Sequence, residues 1–246
     1  MSGKVTIVTG ASRGIGKSTA ILAAKAGHAV AVNYVSDKKA ADAVVAEIVK
    51  AGGKAVAVKA DTSVEADVIR LFDETEKALG PVTGLVNNAG IHGPRGRLEA
   101  LTEADIRRVL EVNVLGLFLC AREAVKRMST KHGGKGGSIV NVSSGAATAG
   151  SPGMGVLYSA SKGAVNSLTI GLAQEVIAEG IRVNTVAPGL TETDLTRATL
   201  EKRVPSLPMG RAAQPDEIGH GIVFLLSDEA SYIAAANLRI GGGKPG

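Results

Sequence analysis

Apolar residues along this chain recur in two rhythms. Short runs of β-branched and aliphatic residues alternate with longer stretches in which apolar positions return every third or fourth residue. The first run, Val5 to Val8, reads as a buried strand, and Gly10, Gly14 and Gly16 break it before an Ala/Leu-rich helix that begins near Lys17. The same patterning predicts strands at 29–34, 54–59, 84–86, 138–142, 182–186 and 236–240, with helices at 37–51, 64–79, 103–128, 158–179 and 214–227 between them. Strands separated by helices over the whole length imply right-handed βαβ crossovers. The expected fold class is therefore α/β, a doubly wound parallel sheet that binds ligands beyond the C-terminal ends of its strands.

No Pro/Ser-rich linker or change of composition divides the 246 residues, so residues 1–246 are expected to form a single domain. Hydrophobic residues make up 45% of the chain, yet there are only three Phe, three Tyr and no Trp. The core must then be Val, Ile, Leu and Ala, as in strands covered by helices on both faces. A single cysteine, Cys120, excludes an intrachain disulfide, and its place in the apolar run 114–120 suits a small buried hydrophobe. No signal-peptide pattern precedes Val5 and no apolar stretch approaches a bilayer span, so a soluble, cytoplasmic protein without a membrane partner is expected.

The formal charge of +5 brings nucleic acid into view. However, the basic residues are scattered, their densest cluster at 126–135 fits a solvated helix end and loop, and few aromatics are available for base stacking. No nucleic-acid partner is expected. The four histidines stand apart from one another and from the cysteine, so no metal site is expected.

The glycine turn at 10–16 lets backbone approach a ligand closely, and the helix behind it offers unpaired N–H groups and a positive dipole end suited to a pyrophosphate. Its spacing is Gly-x-x-x-Gly-x-Gly. Gly10 to Gly14 also satisfies Gly-x-Ser-x-Gly, the nucleophile elbow of α/β-hydrolases, with Ser12 as nucleophile. The local pattern leaves both open. Position disfavours the hydrolase, because the motif ends the first strand and only His220 comes late enough to serve as its base.

Unusual residues collect at the later strand ends: Asp61-Thr62, Asn87-Asn88-Ala89-Gly90, Ser143-Ser144 and Pro188-Gly189. Each alone reads as a turn. Four at one rim, facing one glycine loop, read as a site. Tyr158 and Lys162, four residues apart, share a helix face. A nearby ammonium is expected to draw the tyrosine below its usual value and make it an acid or base near neutral pH.

With Thr9-Gly10-x-x-x-Gly14-Ile15-Gly16, Asn87-Asn88-Ala89-Gly90, Asn113, Ser143-Ser144, Tyr158-x-x-x-Lys162 and Pro188-Gly189-x-x-x-Thr193, the sequence resembles the short-chain dehydrogenase/reductase family over nearly its whole length. It is similar in particular to 3-oxoacyl-carrier-protein reductases and glucose dehydrogenases. The resemblance implies a Rossmann-type sheet and a catalytic set of Asn113, Ser144, Tyr158 and Lys162. Ser144 would hold the substrate oxygen, Tyr158 pass the proton, Lys162 bind the nicotinamide ribose and tune Tyr158, and Asn113 hold a water. It also implies cofactor contacts from Gly10, Ser12, Arg13, Gly14, Ile15 and Gly16, from Asp61 and Thr62 at the adenine, from Asn87, Ala89 and Gly90, and from Pro188, Gly189 and Thr193 near the nicotinamide. A homotetramer is implied as well. The chain departs from the family pattern at Ala234-Ala235, where Thr-Gly is usual, and at Gly241-Gly242-Gly243, where Asp-Gly-Gly is usual.

Together these readings lead to an expected NADP(H)-dependent oxidoreductase acting on a small carbonyl or secondary alcohol. NADP(H) is expected because Asn33 and Tyr34, which are expected to contact the cofactor, end the second strand where NAD-selective folds place an acid, Asp37 serves as a helix cap, and Arg13 can pair with a 2′-phosphate. A non-catalytic dinucleotide sensor and a Ser12 hydrolase are the alternatives. The segments 92–97, 146–156 and 191–208 are expected to shape the substrate pocket, where Arg95 and Arg97 would meet an anionic substrate.

Overall fold

A computed structural model describes residues 3–244. In chain order it contains β1 (Val5–Val8), α1 (Gly14–Lys25), β2 (Ala29–Tyr34), α2 (Lys38–Lys50), β3 (Ala55–Lys59), α3 (Glu65–Leu79), β4 (Gly84–Asn87), α4 (Glu103–Leu110), α5 (Gly116–Met128), β5 (Gly137–Val142), α6 (Ala146–Ala149), α7 (Val156–Val176), β6 (Ile181–Pro188), α8 (Leu200–Arg203), α9 (Pro215–Leu226) and β7 (Asn237–Ile240). All seven strands lie in one parallel sheet of order β3-β2-β1-β4-β5-β6-β7. The expected single-domain, doubly wound sheet is what forms.

Successive residues of a strand face opposite sides of the sheet, and here both sides are apolar. Val8, Val86 and Val140 pack in one core with Ala20, Val44 and Ile222 from α1, α2 and α9. Their neighbours Ile7, Leu85 and Ile139 join the other core with Phe72, Cys120 and Ala173 from α3, α5 and α7. Cys120 is fully buried, and burial pushes its thiol up to about 12, so it behaves as the small hydrophobe expected. Strand order reverses between β1 and β4, which opens a crevice at their C-terminal ends.

One expected element is corrected. The helix predicted at 103–128 is not continuous, because residues Glu111–Leu115 form a π turn in which the Gly116 N–H reaches the Glu111 carbonyl. Gly116 also lets the chain pass close to Thr62, since a Cβ there would stand 2.9 Å from the Thr62 hydroxyl. The family departure at Ala235 has a backbone consequence: this alanine is held at φ 57°, in the left-handed region that favours glycine.

Candidate active site

A cleft of about 940 Å³ runs along the strand ends at the reversal. The glycine turn forms one wall. Gly10 and Gly14 sit at φ 61° and 53°, and a Cβ on Gly10 would stand 3.1 Å from Ala89 backbone. A Cβ on Gly16 would stand 2.5 Å from the Gly10 carbonyl, so only glycine allows the turn to close so tightly. The first turn of α1 has no side-chain cap and no acidic residue, which leaves its N–H groups and dipole free for an anion. Ser12, Arg13, Gly14, Ile15 and Gly16 all line the cleft, as do Tyr34, Asp61, Thr62, Ala89 and Gly90. The cradle suits a dinucleotide pyrophosphate.

Two expected cofactor contacts are corrected. Asn33 is only 1% exposed and does not line the cleft. Its side-chain oxygen accepts the Gly10 N–H (3.1 Å), while its side-chain amide nitrogen donates to the Val58 (3.3 Å) and Ala60 (3.0 Å) carbonyls, so it holds the glycine turn against the sheet. Asn87 is likewise buried, donating to Asn141 (2.9 Å). The residue that braces the turn from β4 is instead Asn88, which donates to the Thr9 (2.8 Å) and Gly10 (3.2 Å) carbonyls. The Thr9 hydroxyl in return accepts the N–H groups of Asn88 and Ala89, both at 3.0 Å.

At the ribose corner, Asp37 accepts the Ala40 N–H (3.0 Å) as the cap of α2 and also lies 3.5 Å from Arg13. The capping role was legible in the sequence, whereas the Arg13 contact needed the fold. At the adenine corner, Asp61 binds the Ser63 hydroxyl (2.6 Å) and N–H (2.9 Å) and faces Arg108 at 3.4 Å. Although burial opposes it, these partners hold the Asp61 carboxyl below its usual range.

The other end carries the chemistry. Tyr158 lies in the first turns of α7 and Lys162 one turn on, its ammonium 5.8 Å from the centre of the phenol ring. Lys162 is 4% exposed and donates to the Val142 carbonyl (2.8 Å). Burial pushes it down to about 8. Ser143, the first of the serine pair, is buried and donates to the Lys162 carbonyl (3.0 Å), which leaves Ser144 as the serine facing Tyr158 in the cleft. Pro188 and Gly189 complete the floor, and Thr193 belongs to the segment 191–208, the lid over the cleft.

The sign expected for Tyr158 is reversed by its surroundings. Burial raises its value, and the hydrogen bond from Ser144 and the charge of Arg203 only partly offset this. Tyr158 is therefore a protonated donor at neutral pH. Asn113 is held by partners within the chain. Its amide spends both donors, on the Ile91 carbonyl (2.8 Å) and Ser161 (3.0 Å), and its oxygen accepts the Ile91 N–H (2.8 Å). No side-chain donor remains for a water. Ser161 in turn donates to the Tyr158 carbonyl (2.7 Å), so Asn113 links the β4 loop to the start of α7 and positions both.

His92 was not singled out by sequence reasoning. It stacks on Tyr158 with ring centres 4.9 Å apart and planes 16° from parallel. Burial, with Arg95 and Arg203 nearby, lowers its value and keeps it neutral at pH 7 despite the Gly93 carbonyl. Of the two loop arginines, Arg95 lines the cleft and donates to the Leu195 carbonyl (3.0 Å), whereas Arg97 pairs with Glu99 on the surface.

A glycine-walled cleft at a strand reversal, with a Tyr–Lys pair on one helix face and a serine at the adjoining strand end, defines a dinucleotide-type α/β oxidoreductase site. Residues 10–244 match the family model described as enoyl-(acyl carrier protein) reductase. Over 245 residues the chain is 49% identical to the uncharacterized oxidoreductase YgfF of Escherichia coli (strain K12), covering 98% of this chain and 99% of that protein. It is 40% identical to a 3-oxoacyl-(acyl-carrier-protein) reductase of Synechocystis sp., over 99% and 97% of the two chains. The crystal structure of a dehydrogenase/reductase from Sinorhizobium meliloti 1021 matches with a TM-score of 0.91 at 37% identity, over 99% of this chain and 95% of that one. The chain belongs to the short-chain dehydrogenase/reductase family. No helix among the described residues is long and apolar enough to cross a membrane.

Proposed function

We propose that the protein is an NADP(H)-dependent reductase that transfers hydride between the nicotinamide and a carbonyl or secondary alcohol, with Tyr158 as the proton donor or acceptor. The observation that carries this reading is the protonated Tyr158 beside Ser144 at one end of a cleft whose other end is an uncapped glycine turn. The dinucleotide, when bound, supplies the hydride. Ser144 holds the substrate oxygen by hydrogen bond, and Tyr158 passes its hydroxyl proton to that oxygen as negative charge develops there. The buried Lys162 ammonium steadies the phenolate left behind and would bind the nicotinamide ribose. Ser12, Ile15 and the free N–H groups of α1 would hold the pyrophosphate, with Asp61 and Thr62 at the adenine.

Arg13 would pair with the 2′-phosphate, which requires it to turn from Asp37. No carboxylate of β2 itself faces the cleft, which favours NADP(H) over NAD(H). Assembly as a homotetramer is supported by exposed apolar side chains on the outer helical layer, including Leu115, Phe118 and Ile170. Gly163 and Gly171 on α7 also leave open space where a Cβ would stand, so another helix can approach closely.

The test is Tyr158→Phe assayed on a carbonyl panel by loss of NADPH absorbance. The expected result is retained NADPH binding with turnover reduced by about 10²–10⁴-fold. Wild-type turnover in this variant would end the mechanism.

A further inference from the structure

Most arginines of the chain sit within 4 Å of a carboxylate. Among the described residues the exceptions are Arg95, Arg182, Arg203 and Arg239. Arg182 spends its guanidinium on the carbonyls of Leu225, Ser227 and Ile233. The other three all line the cleft, and they reach it from different elements: the loop after β4, α8 and β7. The carboxylates of the cleft are already committed, Asp37 to Arg13 (3.5 Å), Asp61 to Arg108 (3.4 Å) and Asp194 to Arg197 (3.0 Å). Among the described residues, Arg95, Arg203 and Arg239 are thus the cleft arginines without a carboxylate within 4 Å, and Lys202 and Lys244 add further positive charge to the same lining.

Its arrangement is specific. Arg203 and Arg95 repel one another, and both act on His92, the ring stacked on Tyr158. The Arg203 guanidinium donates no hydrogen bond among the described residues, and Arg95 uses one donor on the Leu195 carbonyl, which ties it to the segment 191–208. Arg239 points its guanidinium at Gly145, next to Ser144, where a Cβ would stand 2.8 Å away. Like charges gathered without a counter-ion cost free energy unless an anion joins them, and guanidinium forks match carboxylate and phosphate oxygens.

We propose that the substrate carries an anionic group, a carboxylate or a phosphate, close to its reacting carbonyl, and that Arg95 and Arg203 bind it. This rests on the reductase reading and adds the substrate class to it. Neutral His92 stacks on Tyr158 and feels the charge of both arginines, so the substrate would lie with its carbonyl at Ser144 and its charge toward Arg95 and Arg203. Arg97, paired with Glu99 outside the cleft, has no part in it.

Two matched pairs of probes test this: acetoacetate against methyl acetoacetate, and dihydroxyacetone phosphate against dihydroxyacetone. Wild type should prefer the anion of at least one pair by about tenfold or more in kcat/KM, and the pair that responds tells carboxylate from phosphate. The double variant Arg95→Ala/Arg203→Ala should lose about tenfold or more of that ratio, mainly through KM, while Arg97→Ala keeps it. Equal or lower ratios on both pairs in wild type, or a ratio unchanged in the double variant, would overturn the proposal. So would a matching loss of NADPH affinity in the double variant, because the arginines would then serve the cofactor.

Calorimetry on the NADP⁺-loaded protein gives a readout independent of turnover. Binding of acetoacetate or dihydroxyacetone phosphate that disappears in the double variant supports the anion site, and no binding of either to wild type refutes it. Anion binding without reduction of any probe would sink the reductase reading alone. Reduction of the neutral carbonyls without anion preference would sink this proposal alone.

Discussion

Lys162→Met should make the protein more stable while damaging its chemistry. The folded protein holds Lys162 at about 8, against an ordinary 10.5, because the ammonium is buried. At about 1.4 kcal/mol per pKa unit, keeping it charged costs about 3 kcal/mol. Methionine fills similar volume without the charge and forfeits one hydrogen bond, to the Val142 carbonyl, worth about 1 kcal/mol. The variant should therefore gain about 2 kcal/mol near pH 7. The gain must also fade in alkali. Between about 8 and 10.5 the unfolded chain holds the Lys162 proton that the folded protein has released, so wild-type stability climbs with pH through this window and the variant's does not. By about pH 9.5 wild type recovers about 2 kcal/mol and the two curves should nearly meet. Urea unfolding followed by circular dichroism, at one fixed protein concentration, measures this at both pH values. A variant less stable than wild type near neutrality, or an advantage that does not shrink with pH, would refute the reasoning. Turnover should fall in the same variant, as expected where stability and activity trade off.

Arg13→Ala should weaken NADPH binding much more than NADH binding, as read by titrating both nucleotides. Equal wild-type affinities, or equal losses in the variant, would reduce Arg13 to a surface residue paired with Asp37. Ala235→Gly should stabilise the fold by about 1 kcal/mol, because it relieves the left-handed alanine at φ 57°. A fall in the urea midpoint would show that the site prefers a side chain. Light scattering at micromolar concentration should return a tetramer, and a monomer would refute the assembly proposed from the exposed faces of α5 and α7.

Periodicity and glycine spacing in the sequence were enough to place every strand and to predict a ligand site at the C-terminal strand ends. Local chemistry drives both: buried parallel strands need continuous apolar runs, and a tight turn needs glycine. The Tyr158–Lys162 pair was legible for the same reason, since a four-residue spacing puts two side chains on one helix face whatever surrounds them. What those side chains experience was not. Burial, which arises only when α7 packs on the sheet, raises Tyr158 and lowers Lys162, the reverse of the tyrosine shift expected from the pair alone.

Asn33 and Asn87 looked like cofactor contacts because they lie at strand ends, and only the pleat turned their amides inward to hold the glycine turn and β5. The π turn that redirects Asn113 was not read from the periodicity, because it is a single turn inside a stretch whose two flanks both keep a helical repeat. His92, Arg95, Arg203 and Arg239 are far apart in sequence and sit in segments without period. Their convergence around Tyr158 depends on distances that only the folded sheet sets.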